Sequence, residues 1–330
     1  MNPGYLSKAM SEQSSGLLVL SADLGGTHLR AGLIDESGRI VQQVKQSTPV
    51  GESPKCVVGA LVAGAVELQS SAAKKFAAAS VAVPGTVNKL KTAVVQAPNL
   101  PSLDNFGLKD ALETALQVPV FLENDANAAA VGEMWLGAGR GARNLICITL
   151  GTGVGGGIIL DGKLWRGTDG SAGELGHTSV DPFSGPQCKC GSTGCLEMFA
   201  SATAVVRMAR ESLSLFPDTV LHDQCLSSAK IYDAAKSGDS LSLMVFQKAG
   251  EYLGVGLANL INILGPEVIV IGGGVANAWD LFEKPMREQI KRRAFPSAAG
   301  SVKIKIAQCG DDAGLLGAAR LALDELDDPH

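Results

Sequence analysis

Two glycine-rich hairpins, about 126 positions apart, constrain this chain more than any other feature of its sequence. The first is an apolar run at 17–22, then Asp23-Leu24-Gly25-Gly26-Thr27, then a run at 30–35. The second is an apolar run at 145–150, then Gly151-Thr152-Gly153-Val154-Gly155-Gly156-Gly157, then a run at 157–160. Short apolar runs bounded by turn residues read as buried strands. Each half therefore reads strand, glycine turn, strand, closing on Asp35 and on Asp161. Such a chain is expected to build one architecture twice.

Elsewhere apolar runs alternate with helical periods, which argues an α/β fold. Helices are expected at 54–69, 106–117, 126–137, 240–264 and 312–326, with further strands at 77–83, 118–122, 267–271 and 302–306. Gly250, Gly254 and Gly256 inside the 240–264 helix would cost about 1 kcal/mol each, so they point to close helix packing. Residues 212–228 show no period and read as loop. At 330 residues and 46% hydrophobic, the chain can bury a large core. The net charge of −5 supplies no basic face for a nucleic acid. No run of about 18 apolar residues offers a membrane span. Residues 1–16 lack the apolar core of a secretory signal and read as a flexible leader, so a cytoplasmic protein is expected.

The turns suggest phosphate chemistry. Glycines in a tight turn let backbone N–H groups approach an anion. Thr27 adds a hydroxyl, and Asp23 at the strand end could hold Mg²⁺ through water. The Gly151–Gly157 run is not a Walker loop, because no Lys-Ser/Thr follows, nor a Rossmann fingerprint, because a strand follows. A third cluster, Gly272-Gly273-Gly274, could admit a flat ligand or phosphates, a plain strand–helix connection being the other reading. In Glu123-Asn124-Asp125-Ala126-Asn127, Asp125 falls at a helix start. It could cap that helix or accept a proton as a general base.

The sharpest local signal is His177 with Cys188, Cys190 and Cys195. Three thiolates and one imidazole suit tetrahedral Zn²⁺, and a complete set of this kind is structural. Gly191 and Gly194 allow the sulfurs to fold around one ion. The remaining cysteines, Cys56, Cys147, Cys225 and Cys309, are scattered and read as buried thiols.

Together the D-x-G-G-T-x-x-R turn, the L-G-T-G-V-G-G-G turn, the E-x-G-H segment at 174–177 and the C-x-C-G-x-x-G-C-x-E segment at 188–197 resemble the ROK family of the actin-like ATPase superfamily. The resemblance runs from 17 to about 323, and the stretch 123–157 looks most like the family's bacterial glucokinase branch. It implies two ribonuclease-H-like α/β domains flanking a cleft, 17–124 with 312–330 and 125–311. It implies ATP-dependent phosphorylation of a hexose 6-hydroxyl, with Asp125 as base. Gly85, Asn99, Asn124, Glu174, His177 and Glu197 then match the sugar site. Asp23, Gly25, Gly26, Thr27, Gly151, Thr152 and Gly153 match the phosphate turns, and Gly273 with Gly274 the adenosine region. One nitrogen of His177 would serve the zinc and the other the sugar. A homodimer or homotetramer is expected.

Glucose is the substrate that the resemblance favours. N-acetylglucosamine, N-acetylmannosamine, mannose, fructose and allose are the alternatives for the same contact set, and polyphosphate is the alternative donor. The family also contains sugar-responsive repressors. The 16 residues before the first strand are too few for a helix-turn-helix, so an enzyme is expected. Asp23, Asp125 and both intact turns argue against a catalytically silent sugar binder.

Overall fold

The computed structural model describes residues 16–222 and 225–327. The expected leader therefore lies outside the described residues apart from its last position. The two hairpins each seed a five-stranded sheet. In the first, β1 (Leu18–Leu24) pairs antiparallel with β2 (His28–Asp35), and β2 with β3 (Ile40–Ser47). Helix α1 (Pro54–Ser71) leads to the fully buried β4 (Ala78–Val83), parallel to β1. A short ribbon, β5 (Thr86–Val87) and β6 (Val94–Gln96), precedes α2 (Leu108–Leu116) and then β7 (Val120–Asn124), parallel to β4.

Helix α3 (Asp125–Trp135) crosses to the second sheet. There β8 (Leu145–Leu150), β9 (Val154–Leu160) and the two-residue β10 (Lys163–Leu164) run antiparallel. Four helices follow: α4 (Glu197–Ala200), α5 (Ala202–Ser212), α6 (Ser228–Lys236) and α7 (Ser240–Leu264). The chain then adds β11 (Val268–Gly272), α8 (Trp279–Arg293), α9 (Pro296–Ser301), β12 (Lys303–Ile306) and α10 (Ala313–Asp327). The sheet orders are β3-β2-β1-β4-β7 and β10-β9-β8-β11-β12, the same topology built twice.

Each sheet has its own apolar core, and two helices join them. Helix α3 packs on β8 and β9, α10 packs on β1 and β4, and the two helices pack on each other. The crossing is so close that a Cβ on Gly317 would lie 1.7 Å from the Ala128 carbonyl oxygen. Only glycine allows this approach. The glycines of α7 act as expected: a Cβ on Gly250 or Gly254 would strike the α8 backbone at Phe282 or Met286.

Two local expectations change, and one strand was not expected. Strand β3 has no apolar run, because it is an edge strand with Gln42, Gln43, Lys45 and Gln46 on it, and polar residues suit exposed edges. The strand expected from residue 157 begins at Val154, so Gly155, Gly156 and Gly157 belong to β9. They are packing glycines, since Cβ atoms there would strike Ala126, Leu175 and Ala130. Of the scattered cysteines, Cys147 is buried but Cys56 and Cys225 are exposed.

Candidate active site

The candidate residues collect at the carboxyl ends of the parallel strands, where open α/β sheets bind ligands. At the end of β1, the Gly25 N–H closes the first turn on the His28 carbonyl at 2.9 Å. Thr48, at the end of β3, braces it: its N–H donates to the Thr27 carbonyl at 3.0 Å and its hydroxyl to the Gly25 carbonyl at 2.7 Å. Thr27 itself is exposed. Asn99 lies against this turn, 3.2 Å from where a Cβ on Gly26 would be. Asp23 faces Arg30 at 3.9 Å. Its carboxyl is held above the ordinary range by burial, with Arg30 pulling it down and Asp311 and Asp312 pushing it up.

Strand β7 runs straight into α3, and the junction positions the Asp125 carboxyl. Asn124 is the cap, its Oδ1 accepting the Asn127 N–H at 3.0 Å. Asp125 is the first helical residue. Its Oδ1 accepts the Ala126 N–H at 2.8 Å and the Asn124 amide at 3.1 Å. Its Oδ2 has no protein partner among the described residues. Desolvation, then the charge of Asp23, push this carboxyl up to about 7, and Glu174 adds to the push. The other Asn124 amide proton goes to the carbonyl of Gly85 at 2.9 Å, which ties the end of β4 to the same junction. Both donors of Asn124 are therefore used within the protein.

In the second sheet the tight turn is Gly151–Gly153, closed by the Gly151 N–H on the Gly153 carbonyl at 2.9 Å. Helix α5 braces it, through the Ala202 N–H on the Gly151 carbonyl and the Thr203 hydroxyl on the Thr152 carbonyl, both at 2.8 Å. Glu197 Oε2 accepts the Val154 N–H at 2.9 Å. A Cβ on Gly153 would come within 2.3 Å of that oxygen. Gly273 lies against the backbone of Leu150, and the 3₁₀ turn from Gly274 follows directly. The third glycine cluster thus borders the second turn.

One ring nitrogen of His177 and the Sγ atoms of Cys188, Cys190 and Cys195 converge, all four lying within 4.8 Å of one another. His177 Nδ1 faces Cys188 at 3.7 Å, and its Nε2 faces Glu174 at 3.9 Å. Burial and the neighbouring sulfurs push the Cys195 thiol up to about 12. Gly194 is indispensable to the loop, because a Cβ there would lie 1.8 Å from the Asp181 carbonyl oxygen. This is a ligand set that could hold a metal ion.

Sequence reasoning missed Thr48, which carries no motif, and the ion pair of Glu123 with Arg166 at 2.6 Å. It named Glu123 only as part of a segment, and no local pattern marks Arg166. Among the described residues no hydrogen bond joins Asn99 or Glu197 to Asp125. Asn99 stands against the first turn and Glu197 against the second.

The comparisons bear on the fold and the family. The chain is 36% identical over 315 residues to a glucokinase of Thermotoga maritima, covering 94% of this chain and 98% of that protein. It is 38% identical over 307 residues to a glucokinase of Halalkalibacterium halodurans, covering 90% and 92%. A crystal structure of a ROK family glucokinase from Streptomyces griseus, in complex with glucose and AMPPNP, superposes with a TM-score of 0.79 at 36% identity, covering 93% of this chain and 99% of that one. The ROK family profile itself matches residues 19–325. With the doubled sheet topology, both glycine turns and the four-ligand loop all inside that span, the chain belongs to the ROK family, on its actin-like ATPase fold.

Proposed function

We propose that this chain transfers the γ-phosphoryl group of ATP to the 6-hydroxyl of glucose, with Asp125 as the base. The observation that carries the reading is the division of labour in the Asp125 carboxylate. Oδ1 is held by two N–H donors, and Oδ2 is left for substrate. A carboxyl moved from its ordinary 3.8 to about 7 is poised to take a proton near neutral pH. The sugar oxygen passes its proton to Oδ2 as it bonds to the γ-phosphorus, and the bridging oxygen leaves with ADP.

The backbone of Gly25, Gly26 and Thr27, and that of Gly151, Thr152 and Gly153, would hold phosphates, with Gly273 and Gly274 beside the adenosine. Mg²⁺ travelling with ATP supplies charge neutralisation when bound, and Asp23 would hold it through water. Glu174, His177 Nε2, Asn99 and the unoccupied Oε1 of Glu197 suit sugar hydroxyls. Ionised carboxylates accept from pairs of such donors. Gly85 and Asn124 border the same space, Asn124 chiefly by orienting Asp125.

We read the four-ligand cluster as a zinc site. Three sulfurs and one nitrogen leave no open position, so the ion fixes the loop and takes no part in the reaction. We also read the lobes as 17–124 with 312–330 and 125–311, the protein as a cytoplasmic homo-oligomer, and its product as feeding hexose breakdown. Among the described residues no helix is long and apolar enough to cross a membrane.

A panel of glucose, N-acetylglucosamine, N-acetylmannosamine, mannose, fructose and allose with ATP, read by ADP release, tests the reading. Glucose should be turned over with the highest kcat/KM. Absence of turnover with every sugar refutes kinase activity, and a clear preference for another sugar refutes glucose alone.

A further inference from the structure

After Trp165, whose N–H still donates to the Ile158 carbonyl of β9 at 2.7 Å, residues 166–174 form a strap that touches the first lobe at two points before Gly173 packs back on the Gly156 carbonyl of β9. Gly170 packs on the ribbon, where a Cβ would lie 2.7 Å from the Val87 carbonyl oxygen. Arg166 Nε donates to Glu123 Oε2 at 2.6 Å, the carboxylate being 7% exposed and the guanidinium 29%. Glu123 is fixed in turn. Its Oε1 accepts the Asn124 N–H at 3.1 Å and the Asn127 amide at 3.0 Å. The tie therefore ends on the junction that carries Asp125. The Arg166 carbonyl accepts the Ala172 N–H at 3.1 Å, closing the strap on itself just before Glu174.

We propose that Arg166 is a positioning residue of the sugar site: its ion pair with Glu123 holds the strap across the two sheets and keeps Glu174 on the sugar hydroxyls. The inference rests on the reading of Glu174 as a sugar contact. Arg166 touches none of the reacting groups, so its effect falls on sugar affinity and hardly on the chemical step.

Removing one partner of a buried pair strands a charge, whereas replacing both is far better tolerated. The main test is therefore Glu123→Gln with Arg166→Met in the full chain, assayed with glucose and ATP. Its KM for glucose should rise at least about tenfold with kcat within about threefold and KM for ATP unchanged. Arg166→Gln, which still offers Glu123 a hydrogen bond, should show a smaller rise of the same kind, and Arg166→Lys should recover most of the affinity. Wild-type KM for glucose in the double variant, or in Arg166→Gln should the double variant not fold, overturns the proposal. Adding Glu174→Ala to the double variant should raise KM no further than Glu174→Ala alone, because both act through one side chain. Full multiplication of the two effects overturns it as well. If Glu174→Ala itself leaves KM unchanged, the reading of the sugar site has failed. If Glu174→Ala raises KM and the double variant does not, only the role of Arg166 has failed.

Discussion

The two glycine turns occupy matching places in the two sheets but differ in their surroundings. The first carries charge: Asp23 sits one residue before Leu24, opposed by Arg30 and crowded by Asp311 and Asp312. The second is neutral, with Thr149 in the matching place before Leu150. The third strands diverge as well. Strand β3 has eight residues and closes the sheet edge, whereas β10 has two. The residues that β10 does not use become the strap and then the cysteine loop, and these deliver Glu174, His177 and Glu197. A duplicated frame thus becomes asymmetric, and in the proposed reading cation handling falls on one side and the hydroxyl-binding carboxylates hang from the other.

The comparison can be broken most forcefully at the group that lies between the two turns. Asp125→Asn should lower kcat by about 10²–10⁴-fold with KM for glucose within a few-fold. Near-normal turnover in that variant removes Asp125 from the base role. The same carboxyl sets a pH dependence. Since it must be ionised to accept a proton and titrates at about 7, kcat/KM for glucose should fall with acidification below pH 7, by about tenfold per unit at the limit. Stability should run the other way. In the unfolded chain this group ionises near 3.8 but in the fold near 7, so its ionisation weakens the fold progressively between those values and fully above pH 7. Asp125→Asn should melt higher than the parent at pH 8, with the gap closing toward pH 4.

In the proposed reading the sugar side rests on the loop of His177 and the three cysteines. Metal analysis should find one zinc per chain, and Cys190→Ser should lose it, lower the melting temperature and raise KM for glucose about 10–100-fold. A metal-free parent of equal stability would sink the zinc assignment. The smallest effects should separate the two faces of the second turn. Gly153→Ala drives a methyl into Glu197 Oε2, and should raise KM for glucose about tenfold. Gly151→Ala meets nothing within 4 Å, so the melting temperature should hold while KM for ATP rises a few-fold. Equal effects of both substitutions on KM for glucose would erase the proposed division.

Much of the frame was legible because it depends on near neighbours. Buried strands such as β4 announce themselves as apolar runs, and the breaks at Gly25 and Gly151 fall where the turns form. The α7 glycines could be read as packing residues because a helix does not tolerate three of them for nothing. Strand β3 escaped because it is an edge strand with a wet outer side, so polar residues such as Gln42, Gln43, Lys45 and Gln46 could fill it and no apolar run marks it. Gly155, Gly156 and Gly157 read as ligand-binding because glycine at a phosphate and glycine beneath a helix look the same in one dimension.

By itself the sequence determined the doubled α/β frame, the two turns, the thiolate and imidazole set, and a carboxylate at a helix start. Each depends on residue types a few positions apart, whose chemistry is local. Only the tertiary structure decided which oxygen of Asp125 is free, which nitrogen of His177 faces Glu174, and that Arg166 reaches Glu123. These depend on atoms brought together by packing from distant segments. Hydrogen-bond direction and desolvation act over a few ångströms of space, whatever the separation along the chain.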